Sequence, residues 1–268
     1  MRANKRSAWK KYLIIISFFC GALYFAEMRY GFFRLRELEL TTGRVIPEEI
    51  IWQALPREAV DFWPYLIFKG DVFTEGVTDY YPVSMKLSFS GWGKYKLTVE
   101  PLDIFLSVSW DSDFWYLSFD GKMWRANLPA AVTVKGLKRP TLPALDWDSQ
   151  LPVPIDAEQQ KGDIYKSNLP MEKIKKWYDT IEKIYWHKNI YRILAGKMEG
   201  RRIVSILLGG EERVSGEILM KDDASDWLSV AAALENIYPS ASGGLPAGLV
   251  VNATYENDKM IVSEKGNM

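Results

Sequence analysis

The side chains of this 268-residue chain that could do chemistry are few and scattered. His187, in Trp186-His-Lys-Asn, is the only histidine, and the only cysteine is Cys20, inside an apolar run. Zinc sites draw mainly on several Cys and His ligands, so zinc here would need unusual all-carboxylate ligation. His187 follows a predicted helix and reads as a solvated residue at an element end. Asp222-Asp223-x-x-Asp226 has a spacing that can hold Mg²⁺ against a diphosphate, but that chemistry wants a large helical cavity and a second such cluster, and this chain is rich in strand patterns. The same carboxylates suit the positive end of a helix dipole, so an acidic helix start is the expectation. Asp111-Ser-Asp113 fails as a calcium loop, because Trp115 stands where a third oxygen ligand is wanted. There is no Gly-x-Ser-x-Gly elbow for a serine hydrolase. Gly209-Gly210 and Gly216 lack the spacing and the following Lys of a phosphate loop. A cell-wall hydrolase would need a converging acid/base pair, and the sequence singles none out. The chain is therefore expected to be no enzyme and to carry no cofactor or metal.

Aromatic residues are abundant, with 11 Trp, 14 Tyr and 12 Phe. Exposed Trp can stack on sugar rings, which would suit peptidoglycan. The near alternation of Trp110, Trp115, Tyr116 and Trp124 in strand-like segments favours packing instead. Some aromatics could still anchor a protein partner.

The elements that must position these residues are readable from periodicity. Phe33 to Gly43 suggests a strand closed by a glycine. Ile46 to Leu55 reads as a helix, with Pro47, Glu48 and Glu49 in its first turn and Ile50, Ile51, Ala54 and Leu55 on one face. Residues 56 to 80 have a weaker pattern, with a short helix expected over Thr74 to Tyr80. Val83 to Phe89 and Lys94 to Val99 alternate as strands around a Gly91-Trp92-Gly93 turn. Strands follow at Ile104 to Trp110 and Phe114 to Phe119, the latter ending at the turn dipeptide Asp120-Gly121. Residues 136 to 168, with Pro140, Pro143, Pro152 and Pro154, read as surface loop. Met171 to Trp186 reads as a helix with Ile174, Trp177, Tyr178, Ile181, Ile184 and Tyr185 at helical spacing. Strands at Tyr191 to Ala195, Arg202 to Leu208 and Arg213 to Leu219, a helix from Ala224 to Ile237, and a final strand pair complete an α+β pattern.

The zero net charge of 34 basic and 34 acidic residues is a cancellation. Arg2, Lys5, Arg6, Lys10 and Lys11 give the first eleven residues +5, which leaves 29 basic against 34 acidic residues, a net −5, from residue 12 onward. A basic tip on a mildly acidic body argues against a nucleic-acid partner, whose binder carries its positive charge on the folded surface. The tip precedes Tyr12 to Ala26, fifteen residues without a charge. At ~1.5 Å per residue these cover about 22 Å of the ~30 Å hydrocarbon core. The span lengthens if Ala8 and Trp9 are included and Lys10 and Lys11 snorkel, and Tyr30, Phe32 and Phe33 supply an aromatic interface beyond it. The positive end stays cytoplasmic, so residues from about Glu27 face outward. A cleaved signal peptide is the competing reading, but cleavage near Ala26 would place bulky Tyr24 where a small residue is wanted. Without a cysteine outside the apolar segment, the exported part has no internal disulfide and depends on its core.

Phe33-Arg-Leu-Arg-Glu-Leu-Glu-Leu-x-x-Gly43 with Pro47-Glu-Glu-Ile-Ile-x-x-Ala-Leu55, after a basic tail and one anchor, resembles the start of the POTRA domain of the FtsQ/DivIB bacterial cell-division family. Lys94-x-Lys-Leu-Thr-Val-Glu100, Trp115 to Trp124, Leu142-Pro143 and Gly248 to Val262 are similar to later passages of that family, so the resemblance spans nearly the whole chain. It departs at Pro101, which directly follows Glu100 where the family has its proline a few residues later, and at Asn252, where an Asp is common. The resemblance implies a cytoplasmic tail (1–11), a transmembrane anchor (12–29), a small POTRA-like α+β domain (30–101) and a β-rich domain with an antiparallel sheet and flanking helices (102–268). It also implies a non-enzymatic scaffold of the inner membrane, acting at the division septum with FtsB/FtsL-like proteins and, through them, the septal peptidoglycan synthase. The candidate contact is the last strand, with Tyr255, Lys259, Met260, Ile261 and Val262 accepting a partner strand by β-augmentation. The alternative of an anchored POTRA module for outer-membrane assembly predicts further repeats or a barrel, and neither is visible.

Overall fold

The computed structural model describes residues 3–41, 45–159, 162–210, 214–239, 245–255 and 259–264. Gly43, Arg213 and residues 256–258, all included in strands expected from the sequence, lie outside these. The chain opens with one long helix, α1 (Ala3–Tyr30). Its stretch Lys11–Tyr30, 20 residues, is long and apolar enough to cross a membrane. At ~1.5 Å per residue it covers about 30 Å, a full hydrocarbon core. The helix thus continues past both ends of the uncharged run, which makes good the shortfall in its length.

Contacts divide the chain into two compact units, Met1–Thr78 with Val83–Glu100, and Asp79–Pro82 with Pro101–Met268. Asp79–Pro82 joins the second unit because Asp163 N and Ile164 N donate to Asp79 O, and Leu102 N donates to Pro82 O.

The first unit runs β1 (Glu37–Leu40), α2 (Glu48–Ala54), α3 (Arg57–Asp61), α4 (Tyr65–Thr78), β2 (Val83–Gly91) and β3 (Lys94–Pro101). Its three-stranded sheet has the order β1-β3-β2, with β1 parallel to β3. The strand expected from Phe33 begins only at Glu37. Before it, Leu35 N is taken by Val60 O of α3 and Arg36 N by Gly93 O of the β2–β3 turn, so the chain is held outside any strand ladder. The weak stretch 56–80 holds two helices, not one short one. Pro56 sits at the N-cap of α3, Pro64 immediately precedes α4, and Leu66, Phe73 and Val77 are buried along α4. Proline before a first turn sacrifices no intrahelical bond. Gly70 lies where α4 meets β2, and a Cβ there would stand 3.0 Å from Leu87 Cδ2, so the leucine end would have to give way.

The second unit runs β4 (Ile104–Trp110), β5 (Asp113–Ser118), β6 (Lys122–Arg125), α5 (Pro129–Thr133), β7 (Ala144–Trp147), β8 (Tyr165–Lys166), α6 (Met171–Ile181), β9 (Ile190–Met198), β10 (Arg201–Gly209), β11 (Val214–Lys221), α7 (Trp227–Ile237), β12 (Leu249–Asn252) and β13 (Ile261–Glu264). Its described strands all join one ten-stranded sheet, ordered β13-β12-β11-β10-β9-β7-β4-β5-β6-β8. The sheet is mixed, which corrects the antiparallel expectation: β4–β7, β7–β9 and β11–β12 are parallel. β7 also corrects the reading of 136–168 as loop. Its Leu145 and Trp147 are buried while Ala144 and Asp146 face the other way, a four-residue alternation hidden among prolines.

Alternate residues of the sheet, among them Val108, Leu117, Ile193, Val204, Ile206, Ile218 and Val251, build one core with α6 and α7. Ile174, Trp177, Tyr178 and Ile181 line α6 at i, i+3, i+4, i+7, as expected. The helix itself stops at Ile181, and Ile184 and Trp186 are buried in the turns after it. Trp177 stacks on Trp227 of α7 at 6.2 Å. Their indole N–H groups donate to Asp222 O and Lys221 O, both at 2.7 Å, so two large rings are buried without orphaning these donors. Trp115 and Trp124 are buried as well, and the aromatic strands serve packing.

Candidate interaction site at the C-terminal sheet edge

The residues singled out for chemistry are spent on structure. Asp111 and Ser112 both have positive φ (52° and 65°) and form the two-residue turn between the paired Trp110 and Asp113, a hairpin of the primed type. His187 is half-buried rather than solvated, its Nδ1 donating to Ile184 O at 2.8 Å. The three aspartates do not form the expected acidic first turn. α7 starts at Trp227, and Asp226 makes no cap hydrogen bond. Asp226 accepts from Lys221 Nζ at 2.9 Å and Asp222 from Lys173 Nζ at 2.6 Å. Asp223 accepts from Ser225 N at 3.0 Å and from its hydroxyl at 2.8 Å. The backbone bond, with the side-chain bond and nearby Lys176 and Lys221, holds the Asp223 carboxyl below its ordinary range despite partial burial. Each carboxylate is thus turned to its own local partner.

On the sheet face away from the helices, Asp146 pairs with Arg192 at 3.2 Å. Burial pushes Asp146 up from the usual carboxylate range, against the pull of Arg192 and a hydrogen bond from Ser109. Ser205 Oγ donates to Glu217 Oε1 at 2.6 Å on the same face. These are closed polar pairs between neighbouring strands. Tyr178, its hydroxyl donating to Pro143 O at 2.7 Å, is driven up in pKa by complete burial and by Asp146, which keeps it protonated.

No protein-family model matches the chain, and no curated protein matches it.

The C-terminal edge offers more. β13 pairs antiparallel with β12, Val262 opposite Val251 and Ile261 opposite Asn252. It ends the sheet, and among the described residues no strand lies on its outer side. Val262 and Met260 pack against the core, whereas Ile261 is 54% exposed. Only Ile261 and Val262 of the five nominated residues lie in the strand. Met260 and Lys259 precede it, and the exposed Tyr255 lies in the connection after β12, so the expected strand from Tyr255 starts six residues late.

Tyr255 and Lys259 instead line a groove of about 980 Å³ beside the strand. It takes Glu199 from the β9–β10 turn, Arg201 and Arg202 from the start of β10, Lys221, Asp222 and Asp223 from the end of β11, and Asn252 and Thr254 from the end of β12. Sequence reasoning missed the arginine pair, whose signal was its place directly after the hairpin glycine, Gly200, with φ +78°. Asn252 Oδ1 accepts from Thr254 N at 3.1 Å and from Thr254 Oγ1 at 2.7 Å, closing the turn that ends β12. An amide oxygen supplies here the acceptor that a carboxylate would supply.

Proposed function

We propose that this chain is a non-enzymatic, single-span membrane scaffold of the bacterial division machinery, its N-terminus in the cytoplasm and both folded units outside. The observation that carries the reading is the outer side of β13, which no strand among the described residues covers, at the end of a large, well-packed sheet. An unpaired strand edge presents a row of backbone donors and acceptors, which natural proteins usually cover unless it is used. Three further features support the reading. The α1 stretch Lys11–Tyr30 has the length and hydropathy of an anchor. The first unit runs strand, helices and hairpin, an order compatible with the POTRA-like domain that the FtsQ/DivIB resemblance implies. The aspartates and His187 are committed to local partners.

In this reading an FtsB/FtsL-like protein adds a strand beside β13, with main-chain bonds supplying affinity and Ile261, Lys259 and Tyr255 supplying side-chain contacts. Consecutive N–H groups of a strand point to opposite sides, so one of Ile261 and Val262 donates outward and the other toward β12. Ile261→Pro and Val262→Pro are therefore the paired test, with Met260→Pro outside the strand beside them. The outward-donor variant is expected to keep its circular dichroism spectrum and lose co-purification with co-expressed FtsB/FtsL-like proteins. Full partner recovery by both strand variants would rule out strand addition at this edge.

A further inference from the structure

The first unit has an aromatic end that its own core does not absorb. Phe62, Phe89 and Trp92 are 47%, 54% and 48% exposed. They form one connected cluster: Phe62 meets Phe33 at 5.5 Å, Phe33 meets Phe32 at 5.2 Å, and Phe32 meets Trp92 at 4.6 Å. Phe89 joins through the buried Trp63, which it stacks at 5.4 Å and which touches Trp92 at 5.1 Å.

This cluster is fastened to the end of α1 without a linker. α1 stops at Tyr30, and Gly31 turns the chain at φ +55°. Phe33 N donates back to Glu27 Oε2 at 2.6 Å, Gly31 N to Glu27 O at 2.9 Å, and Trp92 Nε1 to Phe32 O at 3.1 Å. If Lys11–Tyr30 fills a hydrocarbon core of ~30 Å, the residues that follow begin in the headgroup region, where Trp and Tyr concentrate. Arg29, Arg34 and Arg36 fall within the eight residues, 29–36, that also hold Phe32 and Phe33, while Glu27 is engaged by Phe33 N and Glu37 by Lys94. Cationic side chains beside an apolar face favour an anionic lipid surface.

We propose that this end of the first unit is a lipid-binding face that seats in the headgroup layer of an anionic bilayer leaflet beside the anchor, so that the unit stands on the membrane instead of swinging from it. The proposal rests on the membrane-crossing reading of α1. Its test uses the full chain in nanodiscs of phosphatidylglycerol and phosphatidylcholine, with Cys20→Ser and a single nitroxide label at Ser90→Cys, which leaves every aromatic of the cluster in place. Collision with oxygen is compared with collision with a water-soluble nickel complex. Labels at Phe18→Cys and at Glu49→Cys, at the start of α2 beyond the far end of β1, mark bilayer and water. The expected result is several-fold protection from nickel at position 90 relative to position 49, lost when Phe89 and Trp92 are also changed to Ser and weakened in discs of phosphatidylcholine alone. Equal nickel access at 90 and 49 while 18 stays protected would overturn the lipid face and leave the anchor standing. Nickel access at 18 would overturn the anchor, and the proposal with it.

Discussion

At one end of the ten-stranded sheet the chain covers its own edge. Asp156 N donates to Lys166 O at 2.8 Å, Asn168 N donates to Pro154 O at 2.7 Å, and Ile155 bridges Ser167, so a short piece of loop lies along the outer side of β8. At the other end, β13 has β12 on one side and no described strand on the other. The covered edge is also the shorter, two residues against four. Covering and shortening are two ways by which proteins keep sheet edges from pairing with other chains. Among the described residues they are used at β8 and not at β13, and the proposed partner site lies at the edge that lacks them.

That contrast can be broken in several places. The largest effect is expected under the β13 end. Trp227 is fully buried, stacks on Trp177 and donates to Lys221 O where β11 ends. Trp227→Ala should cost about 3–5 kcal/mol, the range for emptying a core site of this size, measured by urea denaturation of the full chain in detergent. A loss below about 1 kcal/mol would mean that the helix layer does not brace this end of the sheet.

Asp156→Pro removes the N–H that covers β8 and should lower stability by about 1 kcal/mol, the net worth of one backbone hydrogen bond. It should also make the protein self-associate with rising concentration, since it gives the closed edge the character of the open one. Sedimentation that stays independent of concentration would contradict the role assigned to residues 154–156.

A smaller effect is expected in acid. Folding holds the Asp223 carboxyl below its ordinary value, mainly through the backbone bond from Ser225, so its contribution to stability is complete above about pH 4. It is lost as pH falls through the depressed value. Asp223→Asn, which keeps an acceptor for Ser225, should therefore flatten the fall of Tm below about pH 4. An unchanged acid slope would mean that Asp223 contributes nothing to the acid sensitivity of the fold.

The smallest effect on stability is the most informative about the partner. Ile261 is exposed on β13, so Ile261→Lys should change stability by no more than about 0.5 kcal/mol while weakening partner binding by charging an edge strand. Unchanged co-purification with FtsB/FtsL-like proteins would place the contact elsewhere.

The elements legible in the sequence were those with strong periodicity. Ile174, Trp177, Tyr178 and Ile181 of α6 mark a buried stripe, and β4 has the bounds that alternation assigns it, Ile104 to Trp110. β7 escaped because four residues are too few for a period to stand out beside Pro140 and Pro143, and because its strand character comes from parallel neighbours, β4 and β9, on both sides. The last strand was placed correctly at the sheet's end but begun too early. Tyr255 continues an apolar alternation that Asn252 and Thr254 have already ended with a side-chain turn. The groove joining Arg201, Asp222 and Tyr255 was not legible at all, since three distant segments meet there only once the sheet order is known.

The proposed role as a scaffold where cells divide is tested by the position of the full chain, fused to a fluorescent protein at its N-terminal end, in growing cells of its host. A scaffold of the division machinery should gather in a band at mid-cell that appears with constriction. Uniform signal around the envelope of dividing cells, from a fusion that is intact and membrane-bound, would contradict it.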